Sequence, residues 1–508
     1  MSRTRGDRTA RANSAQCIRD NVRDKIIAMA TPIPRNQSAF TLAEVVEATG
    51  GRLRHSTHPG VGLVLGVGID TRSLEPGSLF VALRGTTFDG HNYLAQAAEL
   101  GAAAAIVETG RRHPALDCIE VDDALVALGR LAHRHLARRR AARSLPVIAI
   151  GGAVGKTTTK ELTAAVTRAL FGATLSTPGN LNNLVGVPMT IFTLTGAQNA
   201  AVLECGTNTR GEIPKLARIV EPDVAMVLNV DLEHTEGLGT LDDIADEESA
   251  MFSTARRYAV ASADEPLVLA RIPKNLERIT FGKSPDASVR LSHRSVGARS
   301  RIRIEIDPML VATGIDPFIE TEIALLGETA ALNCTAAIAG LAAMRSTVFD
   351  AANLAAIANA LAGVKPVAGR LSTSTIRGIV VIDDSYNSNP RSIRAALSAA
   401  REVADGLGAR LVIAMGDMLE LGTMSAAAHQ DAIRDIMREQ PAGFVAVGPE
   451  MRAALEVVAG SKLPLSVLVA PDSAAAANLV AGLVRTGDVL LIKGSRGIAM
   501  EKIIAALA

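Results

Sequence analysis

Short apolar runs alternate with longer stretches in which apolar positions recur at helical spacing, through most of the 508 residues. This is the pattern of parallel strands covered by helices. Between about Phe40 and Ala142, "VGLVLGVGID", "GSLFVAL" and "AAAAIVE" read as strands and "YLAQAAELGA" as a helix. "LAHRHLARRRAAR" closes that part. Its five arginines suit either a polyanion or a solvated helix face beside a linker, and the solvated face is the reading carried forward. "LPVIAI", "NAAVLECG" and "PDVAMVLNV" follow as strands that end in polar residues. A last group, "GIVVIDDSYN", "ARLVIAMGDM", "FVAVG", "LSVLVA" and "DVLLIKGS", is interleaved with alanine-rich helices such as "PRSIRAALSAAREVA". The chain is expected to be α/β. Four segments are expected: a flexible basic extension over 1–38, then domains over 39–143, 144–365 and 366–508. Ligands of open α/β sheets sit beyond the carboxyl ends of the strands, so chemistry is expected at those polar ends.

Composition narrows the class without choosing within it. At 508 residues the chain exceeds what one core supports. With 48% hydrophobic and 21% charged residues and a formal net charge of +1, neither disorder nor a basic surface for nucleic acid is indicated. Cys17, Cys118, Cys205 and Cys334 form no CxxC or Cys/His cluster, which fits a reducing cytoplasm and suggests neither zinc nor a disulfide framework. No apolar run reaches the ~18 residues of a membrane span, and no signal-peptide core is visible, so a cytoplasmic protein without membrane insertion is expected. The arginine-rich start contains Asp7, Asp20 and Asp24, which argues against a transit peptide. It reads as the flexible extension, or as an upstream start-site artefact.

The stretch "VIAIGGAVGKTTTKELTAAV", Val147 to Val166, joins a buried strand, a glycine turn with a lysine, and a helix. A strict Walker A loop would need glycine where Ile150 stands. What remains is the shorter Gly152-Ala153-Val154-Gly155-Lys156-Thr157, followed by Thr158, in the strand-to-helix context such a motif requires. Glycines let backbone N–H groups turn inward, the helix N-terminus favours an anion, Lys156 neutralises phosphate oxygens, and a threonine hydroxyl reaches Mg²⁺. The alternative is an ordinary glycine turn with an exposed lysine. A nucleoside triphosphate brings a metal that needs ligands. Glu204 ends the strand of "NAAVLECG" and His234 lies just beyond that of "VLNVDLEH". His234 is read as a ligand, against the alternative of a hydrogen-bonded loop histidine.

The central segments resemble the Mur ligases, the ATP-dependent amide ligases of peptidoglycan precursor synthesis, whose phosphate loop has the short GxxGKT form. Similar segments cover nearly the whole chain from Phe40. They are "DTRSLEPGSLFVALRGTTFDGHNY", "TPGNLNNLVGVPMT", "LECGTNTRGEI", "EHTEGLG", "GRL", "DDSYNSNP", "MGDMLELG" followed by His429, and "IKGSRGIAMEKI". Their order and spacing make the resemblance specific.

The resemblance implies a three-domain architecture: a UDP-substrate domain, a central P-loop ATPase domain with a parallel sheet, and a Rossmann-like domain for the amine substrate. It implies that Thr71 and Arg72 bind the uridine nucleotide, with Phe88-Asp89-Gly90-His91 on that same domain. It places Gly152, Gly155, Lys156, Thr157, Thr158, Asn333, Arg370 and Asp384 around ATP. Thr157, Glu204 and His234 would hold Mg²⁺, and Lys156, His234 and Arg370 would serve catalysis. Asn182, Asn183, Asn387, Asn389, Lys493, Ser495 and Arg496 fall among the substrate positions. The narrower resemblance is to members that join D-alanyl-D-alanine to a UDP-N-acetylmuramoyl-tripeptide through an acyl phosphate, releasing ADP and phosphate. The implied partners are therefore a UDP-linked muramyl peptide and a D-amino-acid dipeptide, with ATP and Mg²⁺; a monomer is expected.

Several letters depart from the family. Ala153 and Val154 stand where a small hydroxyl residue and asparagine are usual. Thr329 replaces a histidine, and Ala250 a glutamate. Glu248 stands where most members carry a carbamylated lysine whose carboxylate binds magnesium. A glutamate supplies a carboxylate directly, so Glu248 is a candidate metal-binding and catalytic group that needs no CO₂. The alternative is a solvated helix face in the acidic run Asp242 to Glu248. Three functions remain open: the D-alanyl-D-alanine ligase, a related amide ligase for another carboxylate and amine, and a nucleotide-binding paralogue without ligation.

Overall fold

The computed structural model describes residues 31–56, 62–85, 88–295, 300–345, 348–459 and 467–508. These form two compact units. One is the chain up to Gly151 with Phe171–Ala225 and Ala250–Arg257; the other is Gly152–Leu170, Met226–Ser249 and Tyr258–Ala508. The expected extension lies outside the described residues up to position 30, and its last residues are packed rather than flexible. Asn36 bonds Val67 twice, Nδ2 to the carbonyl at 2.9 Å and Oδ1 from the amide at 3.0 Å, and buried Ser38 donates to Phe192 O at 2.6 Å.

In the first unit, five strands lie in the order Arg52–Arg54, Asp117–Val121, Ala104–Glu108, Leu79–Val81 and Val67–Gly68. The first pair is antiparallel and the rest are parallel. The apolar run expected as one strand near 61–70 is broken by Gly66, whose φ of 88° turns the chain. Leu63–Leu65 then pairs antiparallel with Ala39–Thr41 instead. Val147–Gly151 is parallel to Ala200–Glu204, itself parallel to Thr174–Ser176. Every residue of Val147–Gly151 and Ala200–Glu204 is buried, as strands covered on both faces must be.

The arginine-rich segment is the helix Ala124–Ala142, capped by Asp123 and burying Leu128, Leu131, His135 and Leu136. Its arginines are not simply a solvated face. Arg140 is nearly buried, donating to Asp223 Oδ2 at 2.9 Å and to Glu221 O at 2.7 Å, while Arg138 donates to Ala39 O at 2.8 Å. The partners lie some eighty or more residues away in the chain, which makes these arginines packing anchors.

In the second unit, Tyr258–Ser262, Glu277–Gly282 and Val289–Ser295 are parallel, and Ser300–Ile306 and Phe318–Ile323 extend them antiparallel. Ile302, Ile304 and Ile306 face the core, while Arg301 and Arg303 pair across the strands with Glu322 and Glu320. The alanine-rich helix Gly327–Met344 packs on this sheet. A six-stranded sheet follows in the order Ser372–Ile376, Ile379–Asp384, Val489–Lys493, Leu411–Gly416, Gly443–Val447 and Val467–Ala470. Only its first pair is antiparallel. Helices Pro390–Leu407, Ser425–Arg438 and Pro449–Ala459 cover one face, and Ser473–Leu483 and Glu501–Leu507 the other, giving two cores on one doubly wound sheet.

Candidate active site

The glycine turn is shaped by close approach as much as by dihedral freedom. Gly152 has φ 117°, and a Cβ there would stand 2.9 Å from Leu228 N and 3.0 Å from Asn229 O. Gly155 has φ 91°, and its Cβ would meet Asn333 Oδ1 at 2.8 Å. The turn is latched to Asn229: Ala153 N–H donates to its carbonyl at 3.0 Å and Val154 N–H to its Oδ1 at 2.8 Å. Its Nδ2 in turn donates to Val154 O at 2.9 Å. The helix Lys156–Phe171 starts directly after the turn, so its first amides and positive dipole end face the space above the loop.

Glu248 is wholly buried, which removes the solvated-face alternative. Its Oε2 accepts the Gly152 N–H at 2.6 Å, and its Oε1 is a buried oxygen without a hydrogen-bond partner. Burial pushes its carboxyl up to about 7; the Lys156 ammonium pulls it down and Glu233 pushes it up further. Lys156 folds over the turn, donating to the carbonyls of Gly152 and of Ala153 (3.1 Å) and standing 3.5 Å from Glu233 Oε1. Buried Glu233 in turn meets Asn389 Nδ2 at 3.4 Å.

His234 occupies left-handed backbone, φ 48°, before the short helix Thr235–Leu238. Its Nδ1 is bonded to the carboxylate of Glu420, another left-handed residue at φ 64°, and Thr235 Oγ1 donates to Leu421 O at 2.7 Å. Burial disfavours the imidazolium, but the bond to Glu420 and the charges of Glu233 and Glu420 outweigh it and hold the pKa above the ordinary histidine value.

The remaining expected positions divide by environment. Asn333 is buried against Gly155, and Thr157 is buried in the first helical turn. Arg370 lies over the Tyr386 ring at 4.3 Å, while Asp384 and Lys493 bond each other at 2.6 Å. Asn389 caps the helix Pro390–Leu407 through a capping box with Ser392. Ser495 Oγ accepts the Leu419 N–H at 2.9 Å, Asn387 is exposed with its carbonyl on Lys493, and Arg496 reaches Glu501 at 3.1 Å.

In the first unit, Glu204 ends its strand in register with Ile150, and its buried carboxylate accepts from Asn182 Nδ2 at 2.9 Å. Asn183 Oδ1 accepts the amides of Val185 and Gly186 at 3.0 and 2.8 Å. Thr71 donates to Gln96 Oε1 at 2.8 Å, and exposed Arg72 bonds Asp70 at 2.6 Å.

Asn229, Glu233 and Glu420 were not singled out in the sequence. Glu233 and Glu420 lie within the quoted segments "EHTEGLG" and "MGDMLELG", whereas the only signal for Asn229 was a polar residue just beyond an apolar strand. Among the described residues no three His, Cys, Asp or Glu side chains form a ready-made metal cage. The orphaned Oε1 of Glu248 is nevertheless a hard oxygen donor, and Mg²⁺ is commonly held by one or two carboxylates completed by phosphate oxygens and water. The residues therefore fit a phosphate-bound magnesium.

Comparison with known proteins fits this geometry. Three family models match in order: "Mur ligase family, catalytic domain" over residues 64–136, "Mur ligase middle domain" over 150–341, and "Mur ligase, glutamate ligase domain" over 369–496. The UDP-N-acetylmuramoyl-tripeptide–D-alanyl-D-alanine ligase of Escherichia coli is 32% identical over 483 residues, covering 92% of this chain and 98% of that one. A crystal structure of MurF from Acinetobacter baumannii superposes with a TM-score of 0.81 at 29% identity, covering 93% and 99% of the two chains. MurF of Thermotoga maritima in complex with ADP shares the fold with a TM-score of 0.74 at 24% identity, covering 87% and 96%. With a glycine phosphate loop, a Rossmann-like last sheet and relatives aligned over nearly their full length, the chain belongs to the Mur ligase family.

Proposed function

We propose that this protein is the ATP-dependent ligase that joins D-alanyl-D-alanine to a UDP-N-acetylmuramoyl-tripeptide, with release of ADP and phosphate. The observation that carries the reading is the wall of the phosphate turn: Glu248 bonded to Gly152, Lys156 over the loop carbonyls, and Glu233 beside the lysine. Joining a carboxylate to an amine is uphill in water, so phosphoryl transfer first makes an acyl phosphate that the amine then attacks. Such transfer needs charge neutralisation and alignment more than covalent help. Lys156 supplies a cation that swings from the loop carbonyls onto phosphate oxygens. The amides at the start of the helix Lys156–Phe171 receive the anion, Arg370 reaches the phosphates, and Asn333 and Asp384 contact the nucleotide. Thr157, Glu204, His234 and Glu248 are the proposed magnesium donors; the ion would neutralise phosphate charge in the transition state.

Thr71 and Arg72 are proposed to read the uridine nucleotide. Asn182, Asn183, Asn387, Asn389, Ser495 and Arg496 are proposed to line the acceptor and amine sites. Domains over 39–143, 144–365 and 366–508, a monomeric state and a cytoplasmic location complete the proposal; no helix among the described residues is long and apolar enough to cross a membrane.

The test is ADP release with a panel of UDP-muramyl peptides and D-alanyl-D-alanine, each omitted in turn. Release that requires both substrates is expected. Release only with other carboxylates or amines would move the chain to another amide ligase, and none with any pair would leave a nucleotide-binding protein.

A further inference from the structure

The turn that carries Arg370 is held from outside itself. Gly369 (φ 73°) and Leu371 (φ 50°) both lie in left-handed backbone, an unfavourable conformation for leucine that persists only where neighbours impose it. Two adjacent carboxylates do so: Asp383 Oδ2 accepts the Gly369 N–H at 3.1 Å, and Asp384 Oδ1 accepts the Leu371 N–H at 3.1 Å. Tyr386 N–H donates to Gly369 O at 3.1 Å, and its ring lies under the Arg370 guanidinium at 4.3 Å. Asp383 is itself fixed by the Ser385 amide at 3.1 Å and hydroxyl at 2.6 Å. The second oxygen of Asp384 takes the Lys493 ammonium at 2.6 Å.

Lys493 ends the strand Val489–Lys493, in parallel register with Asp384, and its side chain is only 1% exposed. Its other bond also points inward, to Asn387 O at 2.9 Å. An ammonium so enclosed is turned away from any incoming substrate, and its charge would repel a protonated amine. We propose that Lys493 does not bind the amine substrate but is a positioning residue: it fixes Asp384, which fixes the 369–371 turn, which aims Arg370. The inference rests on the reading that Arg370 contacts the nucleotide phosphates. Without Lys493, Asp384 keeps its charge but loses the partner that orients it, and the turn is free to relax out of its left-handed backbone.

A double-mutant cycle on ADP affinity, measured by calorimetry on the full chain, separates the possibilities. Arg370→Ala and Lys493→Met are each expected to weaken ADP binding about tenfold, and the double variant to bind no more weakly than Arg370→Ala alone. Additive losses, or an unchanged affinity in Lys493→Met, overturn the inference while leaving the reading of Arg370 intact. An unchanged affinity in Arg370→Ala overturns that reading, and the inference with it. If Lys493→Met fails to fold because a buried carboxylate is left unpaired, Lys493→Ser removes the ammonium and leaves room for water beside Asp384, whose own contacts stay in place. It is run through the same cycle with the same criterion of non-additivity against Arg370→Ala.

Discussion

Gly152→Ala should abolish tight nucleotide binding while leaving most of the fold in place, and the structure gives the size of the effect. Alanine at φ 117° costs about 1–2 kcal/mol in backbone strain. The added Cβ would also meet Leu228 N, Asn229 O and Asn229 N at 2.9, 3.0 and 3.1 Å, and these are backbone atoms that cannot rotate aside. The turn must therefore lift off Asn229, breaking the bonds from Ala153 and Val154, each worth about 1 kcal/mol. The competent turn is then disfavoured by roughly 3–4 kcal/mol, a loss on the order of a hundredfold or more in ADP affinity. Gly155→Ala carries similar strain, and its Cβ would displace the side-chain amide of Asn333, which is proposed to contact the nucleotide, so a loss of at least about tenfold is expected there. Calorimetric ADP titration, with circular dichroism to verify the fold, measures both. Wild-type affinity in Gly152→Ala or in Gly155→Ala would refute the reasoning.

Glu248→Gln keeps an oxygen for the Gly152 amide but removes the charge. It should raise the magnesium requirement for ADP release, and neither protein should respond to bicarbonate; superimposable magnesium titrations would show that Glu248 holds no metal. Glu420→Ala removes the carboxylate on His234 Nδ1, so the His234 pKa should fall. An NMR titration of the imidazole that shows no downward move would sink that claim. Burial, opposed by the bond to Leu194 O, lowers His135 from the ordinary 6.5 to about 4. Because the folded value is the lower one, this contribution to stability is complete above pH 6.5 and is lost as pH falls toward 4, roughly 3 kcal/mol over that window. Urea unfolding of wild type and His135→Gln at pH 7 and pH 4.5 should show the acid loss shrinking in the variant; an equal loss in both would refute it.

Strands such as Val147–Gly151, Ala200–Glu204 and Leu411–Gly416 were legible because both faces of each are buried, which leaves an unbroken apolar run ended by polar residues. The phosphate turn was legible because glycines, lysine and helix are contiguous in sequence. Asn229 could not be read in the same way, since its importance comes from lying opposite residues 153 and 154 after folding. The arginine helix misled for a similar reason: composition reports charge, while the counter-charge on Asp223 is distant in the chain. The strands Ser300–Ile306 and Phe318–Ile323 do carry a period of two, with arginines and glutamates outward, which was there to be read. Glu248 was half legible. Within an acidic run it looks solvated, yet it falls four residues after buried Ile244, on the same helical face.

The segment Val230–Leu238 joins the phosphate turn to the last sheet. It is gripped on one side by Lys156, at 3.5 Å from Glu233. On the other side Arg391 N–H donates to Asp231 Oδ2 at 2.9 Å, Asn389 reaches Glu233, and Glu420 and Leu421 hold His234 and Thr235. Asn389 and Arg391 open the helix that follows Asp384, and Glu420 follows the strand Leu411–Gly416, so the contacts come from the carboxyl edge of the last sheet. His234 in the gripped segment and Glu420, which holds it, both lie in left-handed backbone that their mutual contact helps to fix. A displacement of that sheet would therefore shift Glu233 against Lys156 and loosen the contacts that hold His234. On the proposed function, the ammonium that must leave the loop carbonyls for phosphate is thereby coupled to the edge where the amine arrives. Phosphoryl transfer then becomes favourable when the last sheet is docked and water is shut out, which protects an acyl phosphate from hydrolysis.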